Sequence, residues 1–272
     1  MRLRSLLFVP GSRPDRFDKA ASAGADTIIL DLEDAVAPAD KDTARAAIRE
    51  WLLSQHKGPQ HKAQRTAIIR INAAGTPWYA DDLALTALPG VTAIMLPKAE
   101  RASDIAEVIH AGAACVLPLI ETAAGIAAAT EIAASSGVLR LAFGSIDFQV
   151  DLGMRDAHED DLIHFRSQLI LASRLAGIAS PIDGVTTSID NTEQLRTDVT
   201  RARRLGFGGK LCIHPRQIEE VHIGFTPDAE TISWARRVIA AAEQGGVVAV
   251  DGKMVDKPVL LRAKAILREA QC

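Results

Sequence analysis

Leu117-Pro118-Leu119-Ile120-Glu121-Thr122-Ala123-Ala124-Gly125 is a short apolar run that ends in a single carboxylate and passes at once into small residues. Such a run reads as a buried strand that delivers Glu121 to the rim of an α/β core, with a helix after it. Leu139-Arg140-Leu141-Ala142-Phe143-Gly144-Ser145-Ile146-Asp147 repeats the design: an apolar strand, a glycine-containing turn and one acid. Two carboxylates on neighbouring strand ends suit a hard divalent cation. Magnesium is usually held by one or two carboxylates, its other positions left to water and substrate oxygen.

The same strand-then-helix unit recurs on both sides. Leu6-Leu7-Phe8-Val9 stops at Pro10-Gly11-Ser12-Arg13-Pro14, and helical spacing follows from Asp15 to Ala23, ended by Gly24. Asp26 to Leu30 runs into Asp31-Leu32-Glu33-Asp34, ahead of a helix over Lys41 to Leu53 with Trp51 and Leu52 on its apolar side. The polar stretch Ser54 to Arg65, with His56, Gly58, Pro59 and His61, reads as a surface loop and not as a metal site. Thr66 to Asn72 is a third strand, interrupted by Arg70, and Val91 to Lys98 a fourth, with Ser103 expected to cap the helix after it. Ala114 to Glu121 and Leu139 to Asp147 are the fifth and sixth, separated by an alanine-rich helix that Gly137 ends. A helix over Asp160 to Leu175, a short strand over Ala179 to Asp183, a helix over Thr192 to Leu205 closed by Gly206, and a strand over Gly209 to His214 complete eight units.

Short apolar strands alternating with helices imply parallel pairing, because parallel strands need a crossover that covers the sheet. Eight such units predict an α/β fold: a (β/α)8 TIM barrel over residues 1–216, with an open doubly wound sheet as the competing topology. Arg13, Glu33, Asp34, Arg70, Lys98, Glu121, Asp147, Asp183 and His214 all fall near strand C-termini, the face on which such barrels build their sites. After Pro215 the pattern changes. Helical spacing over Asp228 to Gln244, the stretch Gly245 to Pro258 and a last helix to Ala270 read as a C-terminal helical lid or oligomerisation extension, residues 217–272.

Composition narrows the class. The 272 residues are 48% hydrophobic and 24% charged, which fits a globular protein, and the net charge of −3 leaves no basic footprint for nucleic acid. Arg201, Arg203 and Arg204 form the tightest basic cluster and read as a solvated helix face. Cys115 and Cys212 lie in apolar runs and Cys272 is the last residue, so reduced structural thiols are expected. The apolar run after Met1 is too short for a signal peptide, and no segment approaches a membrane span, so a cytoplasmic enzyme without membrane or nucleic-acid partners is expected.

These stretches together resemble the HpcH/HpaI aldolase and citrate lyase β-subunit family, especially its stand-alone CitE-like and malyl-CoA or citramalyl-CoA lyase members. The matching segments are Leu7 to Pro14, Asp31-Leu32-Glu33-Asp34, Arg70-Ile71-Asn72, Leu96-Pro97-Lys98, Ile120-Glu121-Thr122, Phe143 to Phe148, Ile213-His214-Pro215 and Asp251 to Asp256. The resemblance implies Glu121 and Asp147 as Mg2+ ligands, with Glu33 and Asp34 orienting water on the ion; Lys98, at a strand end, reads as a partner of these acids behind the ligands. It implies Arg70 as the contact to substrate and thioester oxygen, and Phe8, Arg13 and Lys19 as the hold on coenzyme A. Asp256 would be the acid/base supplied across the interface of a homotrimer or hexamer.

The implied reaction is Mg2+-dependent cleavage or formation of a 3-hydroxy-3-carboxyacyl thioester, on coenzyme A or an acyl-carrier protein, with acetyl-CoA and a 2-oxo acid as the other side. Competing readings are a coenzyme-free class II aldolase acting on a hydroxy-oxo acid, and a non-catalytic barrel that only binds. Each residue also has a plainer role. Arg70 can pair with Glu33 or Asp34 alone; Arg13 and Lys19 can be surface cations. His214 before proline reads as structural, and Asp251 before glycine as a turn. A Schiff-base role for Lys98 would need a desolvated amine. Ile146 stands where some relatives carry an acid, and Gln149 where small residues are frequent, which points to an unusual acyl group.

Overall fold

The computed structural model describes residues 3–54, 66–243 and 249–271. The expected loop over 55–65, the glycine-led stretch 245–248 and Cys272 lie outside the described residues. The chain forms two compact units, Leu3–Val221 and the described part of His222–Cys272.

In the first unit strands and helices alternate: β1 Ser5–Pro10, α1 Phe17–Ala21, β2 Thr27–Asp31, α2 Lys41–Ser54, β3 Ala67–Arg70, α3 Tyr79–Leu83, β4 Val91–Leu96, α4 Ala102–His110. They continue as β5 Val116–Ile120, α5 Ala123–Ala134, β6 Ala142–Phe143, α6 Ser145–Asp151, α7 Ile163–Ala176, β7 Ile182–Asp183, α8 Thr192–Leu205 and β8 Gly209–Cys212. Each strand pairs in parallel with its sequence neighbour, and β8 returns to β1, with Ser5 beside Lys210 and Leu7 beside Cys212. That last pairing closes the expected (β/α)8 barrel and rules out the open sheet.

Side chains alternate across a strand, so every second residue points into the barrel. Leu6, Ile29, Ile68, Met95, Leu119 and Leu211 belong to the buried interior cluster, against which Phe8 packs. Two residues further along the same strands come Phe8, Asp31, Arg70 and Glu121. The period that builds the apolar plug therefore lifts one aromatic and three charged groups onto its C-terminal end.

The observed elements correct four expectations. Strand β6 is only two residues long, and Phe148 N already donates to Gly144 O at 3.0 Å, so Asp147 lies in the first turn of α6 and not at a strand end. Asp183 follows inward Ile182 and therefore faces out of the barrel; wholly buried, it accepts from Arg166 Nε at 2.8 Å. Ser103 lies inside α4, whose cap position is Arg101, and its hydroxyl reaches Asp104. Arg201 is not solvated: it pairs with Asp160 and Asp198 at 3.1 and 2.9 Å. Cys115 and Cys212 are free thiols, and burial pushes the Cys212 thiol up to about 12.

After α9 Ile218–Phe225, the second unit contains α10 Ala229–Glu243, the hairpin β9 Ala249–Val250 and β10 Lys253–Met254, and α11 Lys257–Gln271. Its core is built from Ala235, Val238, Ala263 and Ile266. The hairpin turns on Asp251-Gly252, both at positive φ (51° and 75°), the role the Asp-Gly pair predicts. No described helix is long and apolar enough to cross a membrane.

Arg166 donates to both Asp183 and Glu159 while itself almost fully buried. Removing one partner of such a pair strands the other charge. Arg166→Leu is expected to lower unfolding free energy by about 3 kcal/mol in urea titrations; a loss under 1 kcal/mol would show that Lys210, whose ammonium stands 3.8 Å from Asp183, suffices as its partner.

Candidate active site

The site begins with one pairing. In the β2–β3 register Asp31 lies directly beside Arg70. Arg70 Nε and Nη2 donate to the two Asp31 oxygens at 2.7 Å each, a fork-to-fork contact. Its Nη1 stands 2.9 Å from Glu33 Oε2 and 3.2 Å from Asp34 Oδ2, and its Cζ lies 4.8 Å from the Phe8 ring centre. Burial works against the guanidinium charge, but Asp31, then Glu33 and Asp34, more than offset it and hold its pKa above the ordinary value. Arg70 is a permanent, immobile cation. Its contacts to Glu33 and Asp34 form as expected, yet its main partner is Asp31, which the sequence reading did not single out. The signal was present in the strand period: Asp31 stands two residues after Ile29, as Arg70 stands two after Ile68. Asp31 also accepts from Glu33 N at 2.9 Å and Ala35 N at 3.3 Å, so it folds the turn that carries the other acids.

A second hub is Lys98, at the end of β4. Its ammonium donates to Glu33 Oε1 at 2.7 Å, while its main-chain N–H donates to Glu121 Oε1 at 2.8 Å. To do both, Lys98 adopts φ 47°, a left-handed conformation that costs a side-chain-bearing residue roughly 1–2 kcal/mol. Burial pulls its pKa down, but the hydrogen bond and charge of Glu33, with Glu121 and Asp34 behind, raise it. Lys98 therefore stays protonated, which argues against a Schiff-base role.

Glu121 is 1% exposed. Burial first, then the charges of Glu33 and Asp147, push its carboxyl up to about 8, against the Lys98 amide and ammonium, which pull down. Burial likewise raises Glu33 despite Arg70 and Lys98. Gly144 makes this crowding possible. A Cβ there would collide with the Glu121 carboxylate, so only glycine lets the start of α6 approach closely enough for Asp147 to act on Glu121. Asp147 is half-buried and makes no hydrogen bond or ion pair among the described residues.

This donor set suits a hard divalent cation. Glu121, held above its usual pKa by burial and then by the neighbouring carboxylates, is relieved by positive charge. No group of three His, Cys, Asp or Glu among the described residues is arranged to chelate a metal; Glu121 and Asp147, close enough for their charges to interact, are a pair that could hold one. A two-carboxylate site matches an ion that keeps most of its positions for water and substrate, as magnesium does, and not a closed zinc site.

The other sequence candidates lie further out. Arg13 is exposed and its Nε and Nη2 donate to Asp15 at 2.9 and 2.8 Å; Lys19 is exposed on α1. Asp34 is the half-exposed lip of the acid turn. His214 Nδ1 accepts from Arg216 N at 3.2 Å and starts a 3-10 turn over Pro215–Gln217, the structural role expected of it. In the second unit, exposed Asp256 accepts from Val259 N at 3.0 Å at the start of α11.

Comparison with known proteins gives consistent matches. The family model for HpcH/HpaI aldolase/citrate lyase matches residues 4–215. The citrate lyase subunit beta of Leuconostoc mesenteroides subsp. cremoris is 35% identical over 98% of this chain and 93% of its own length. The (3S)-malyl-CoA thioesterase of Cereibacter sphaeroides is 37% identical over 98% and 94%. The crystal structure of CitE from Mycobacterium tuberculosis in complex with magnesium, acetoacetate and coenzyme A matches with a TM-score of 0.85 and 39% identity, over 99% of this chain and 98% of that one.

Glu121 also makes stability pH-dependent. Its pKa is about 8 when folded against an ordinary 4.5, so between those values the unfolded chain is the stronger acid and stability falls as pH rises. In EDTA, Glu121→Gln is expected to stabilise the protein by a few kcal/mol at pH 8 and progressively less toward pH 5, read from thermal melts. An equal gain at both ends would place the effect elsewhere.

Proposed function

Because the chain belongs to the HpcH/HpaI aldolase/citrate lyase family, we propose that it cleaves, or in reverse forms, a short 3-hydroxy-3-carboxyacyl-CoA thioester such as citryl-, malyl- or citramalyl-CoA. The products are acetyl-CoA and a 2-oxo acid. It is a Mg2+-dependent carbon–carbon lyase with a coenzyme A thioester as substrate. The observation that carries this reading is the immobile Arg70 guanidinium beside Glu33, which Lys98 ties to the buried Glu121.

Glu121 and Asp147 would hold the ion. When bound, Mg2+ supplies Lewis acidity to the substrate hydroxyl and its neighbouring carboxylate, so that the hydroxyl proton leaves more easily. Transfer of that proton to solvent water lets the carbon–carbon bond break, its electron pair turning the thioester half into an enolate and the hydroxyl carbon into the carbonyl of the 2-oxo acid. The enolate oxygen gains charge only as the bond breaks, so a donor already in place lowers the barrier selectively. Arg70, clamped by Asp31 and stacked on Phe8, meets it without reorganising. Glu33 and Asp34 would orient water around the ion, with Lys98 keeping Glu33 and Glu121 in register.

Protonation of the enolate carbon is assigned to Asp256, supplied from a neighbouring copy of the C-terminal segment in a homotrimer or hexamer and acting as base in the reverse direction. Coenzyme A is assigned to Phe8, Arg13 and Lys19. Phe8 lies under Arg70 and so belongs at the thioester end, whereas exposed Arg13 and Lys19 suit phosphates, Arg13 with the N–H groups that Asp15 leaves.

The test is deuterium exchange into the methyl group of acetyl-CoA with a panel of 2-oxo acids, with and without Mg2+. Exchange is expected only with Mg2+, and the best oxo acid identifies the acyl group. Glu121→Ala and Asp147→Ala should each abolish it in a folded protein. Asp256→Asn should leave Mg2+ binding intact and slow exchange by about 100-fold or more. Tight Mg2+ binding without exchange for any oxo acid would favour the coenzyme-free aldolase.

A further inference from the structure

Behind the acid turn lies a buried lysine that the reaction scheme does not use. Lys41, the first residue of α2, is 5% exposed. Its ammonium spends its three N–H groups on Leu32 O, Glu33 O and Asn72 Oδ1, each at 2.7 Å. All three acceptors are neutral, and among the described residues the ammonium makes no ion pair with a carboxylate. Asn72 is held in turn by Asp82, whose Oδ2 accepts from Asn72 N at 2.8 Å and Nδ2 at 2.6 Å, and Asp82 Oδ1 accepts from Arg45 Nε at 2.8 Å.

Two of those acceptors are the main chain of the Asp31-Leu32-Glu33-Asp34 turn. Glu33 O also accepts from Val36 N at 3.1 Å, but Leu32 O takes its donor from the ammonium, and because a buried carbonyl without a donor is costly the turn settles where both meet it. From that position Glu33 reaches Lys98 and Arg70, and Asp34 reaches Arg70. We propose that Lys41 is a positioning residue that, with Asn72 and Asp82, sets the Leu32 and Glu33 carbonyls and so aims the Glu33 and Asp34 carboxylates across the barrel mouth. In its catalytic consequence the inference rests on the lyase reading above; its geometric part does not.

Lys41→Met removes the charge and all three donors at similar length, and Lys41→Gln returns two neutral N–H donors. In a crystal structure of Lys41→Met, the Glu33 carboxylate is expected to have left Arg70. Mg2+-dependent exchange into acetyl-CoA should fall about 10- to 100-fold with an unchanged KM for acetyl-CoA, and Lys41→Gln should recover part of the rate. Should Lys41→Met fail to fold, Lys41→Gln carries the same comparison with wild type.

Titration with Mg2+ alone supplies a sign that a merely structural role would not move. Loss of a nearby positive charge by itself tightens Mg2+ binding, whereas loss of carboxylate orientation weakens it. Weaker binding in Lys41→Met than in Lys41→Gln supports the inference; tighter binding with wild-type exchange overturns it. If the wild-type chain shows no exchange, the lyase reading falls, and the Glu33–Arg70 geometry in Lys41→Met decides alone: an unmoved carboxylate overturns the inference.

Discussion

A guanidinium buried in a barrel mouth is tolerated only if its charge and its N–H groups are met on the spot, and the Arg70–Asp31 pair meets both. The geometry that allows it is general. Parallel strands in register place Asp31 and Arg70 side by side, the two-residue side-chain period points both inward, and closure of the barrel keeps water from taking either place. Because the pair is bidentate, Arg70 has one orientation, and the remaining groups are arranged around it: Phe8 beneath its face, Glu33 and Asp34 at its free end. A lysine in its place would offer charge without that orientation.

The other half of the mouth is arranged by crowding. Gly144 admits the first turn of α6, Asp147 comes within reach of Glu121, and Lys98 takes a strained φ to give its amide to one acid and its ammonium to another. Strain of this kind persists when surrounding contacts over-determine it, and here both ends of Lys98 are held. The two halves share Glu33, bridged by Lys98 on one oxygen and approached by Arg70 on the other.

Local patterns made much of this legible. Eight apolar runs with helices between them specify the barrel, and strand-end acids and cations mark its functional face. What escaped reading depends on direction or on contacts distant in sequence. Asp183 sits at a strand end like Glu121, but one step of the alternation turns it outward to Arg166. Asp147 reads as a strand end until Gly144 is seen to begin a helix. Asp31 and Lys41 are hidden because their partners lie across strands or are main-chain carbonyls. Arg201 looks solvated, but Asp198 one turn earlier on its own helix and Asp160 ahead of α7 both hold it.

Charge balance ties these observations together. Asp31, Glu33, Asp34, Glu121 and Asp147 outnumber Arg70 and Lys98 in the mouth and Lys41 behind the acid turn, an excess of two negative charges when all are ionised. Around Asp31, Glu33 and Glu121 the apolar plug and the barrel wall keep the local dielectric low, whereas Asp34 and Lys98 stay open to solvent. Part of the excess is relieved by a proton on Glu121, whose pKa near 8 is the price of the arrangement. The proposed ligands Glu121 and Asp147 are the two acids of the set that no cationic side chain among the described residues grips, so a divalent ion held there would remove the excess while keeping open positions.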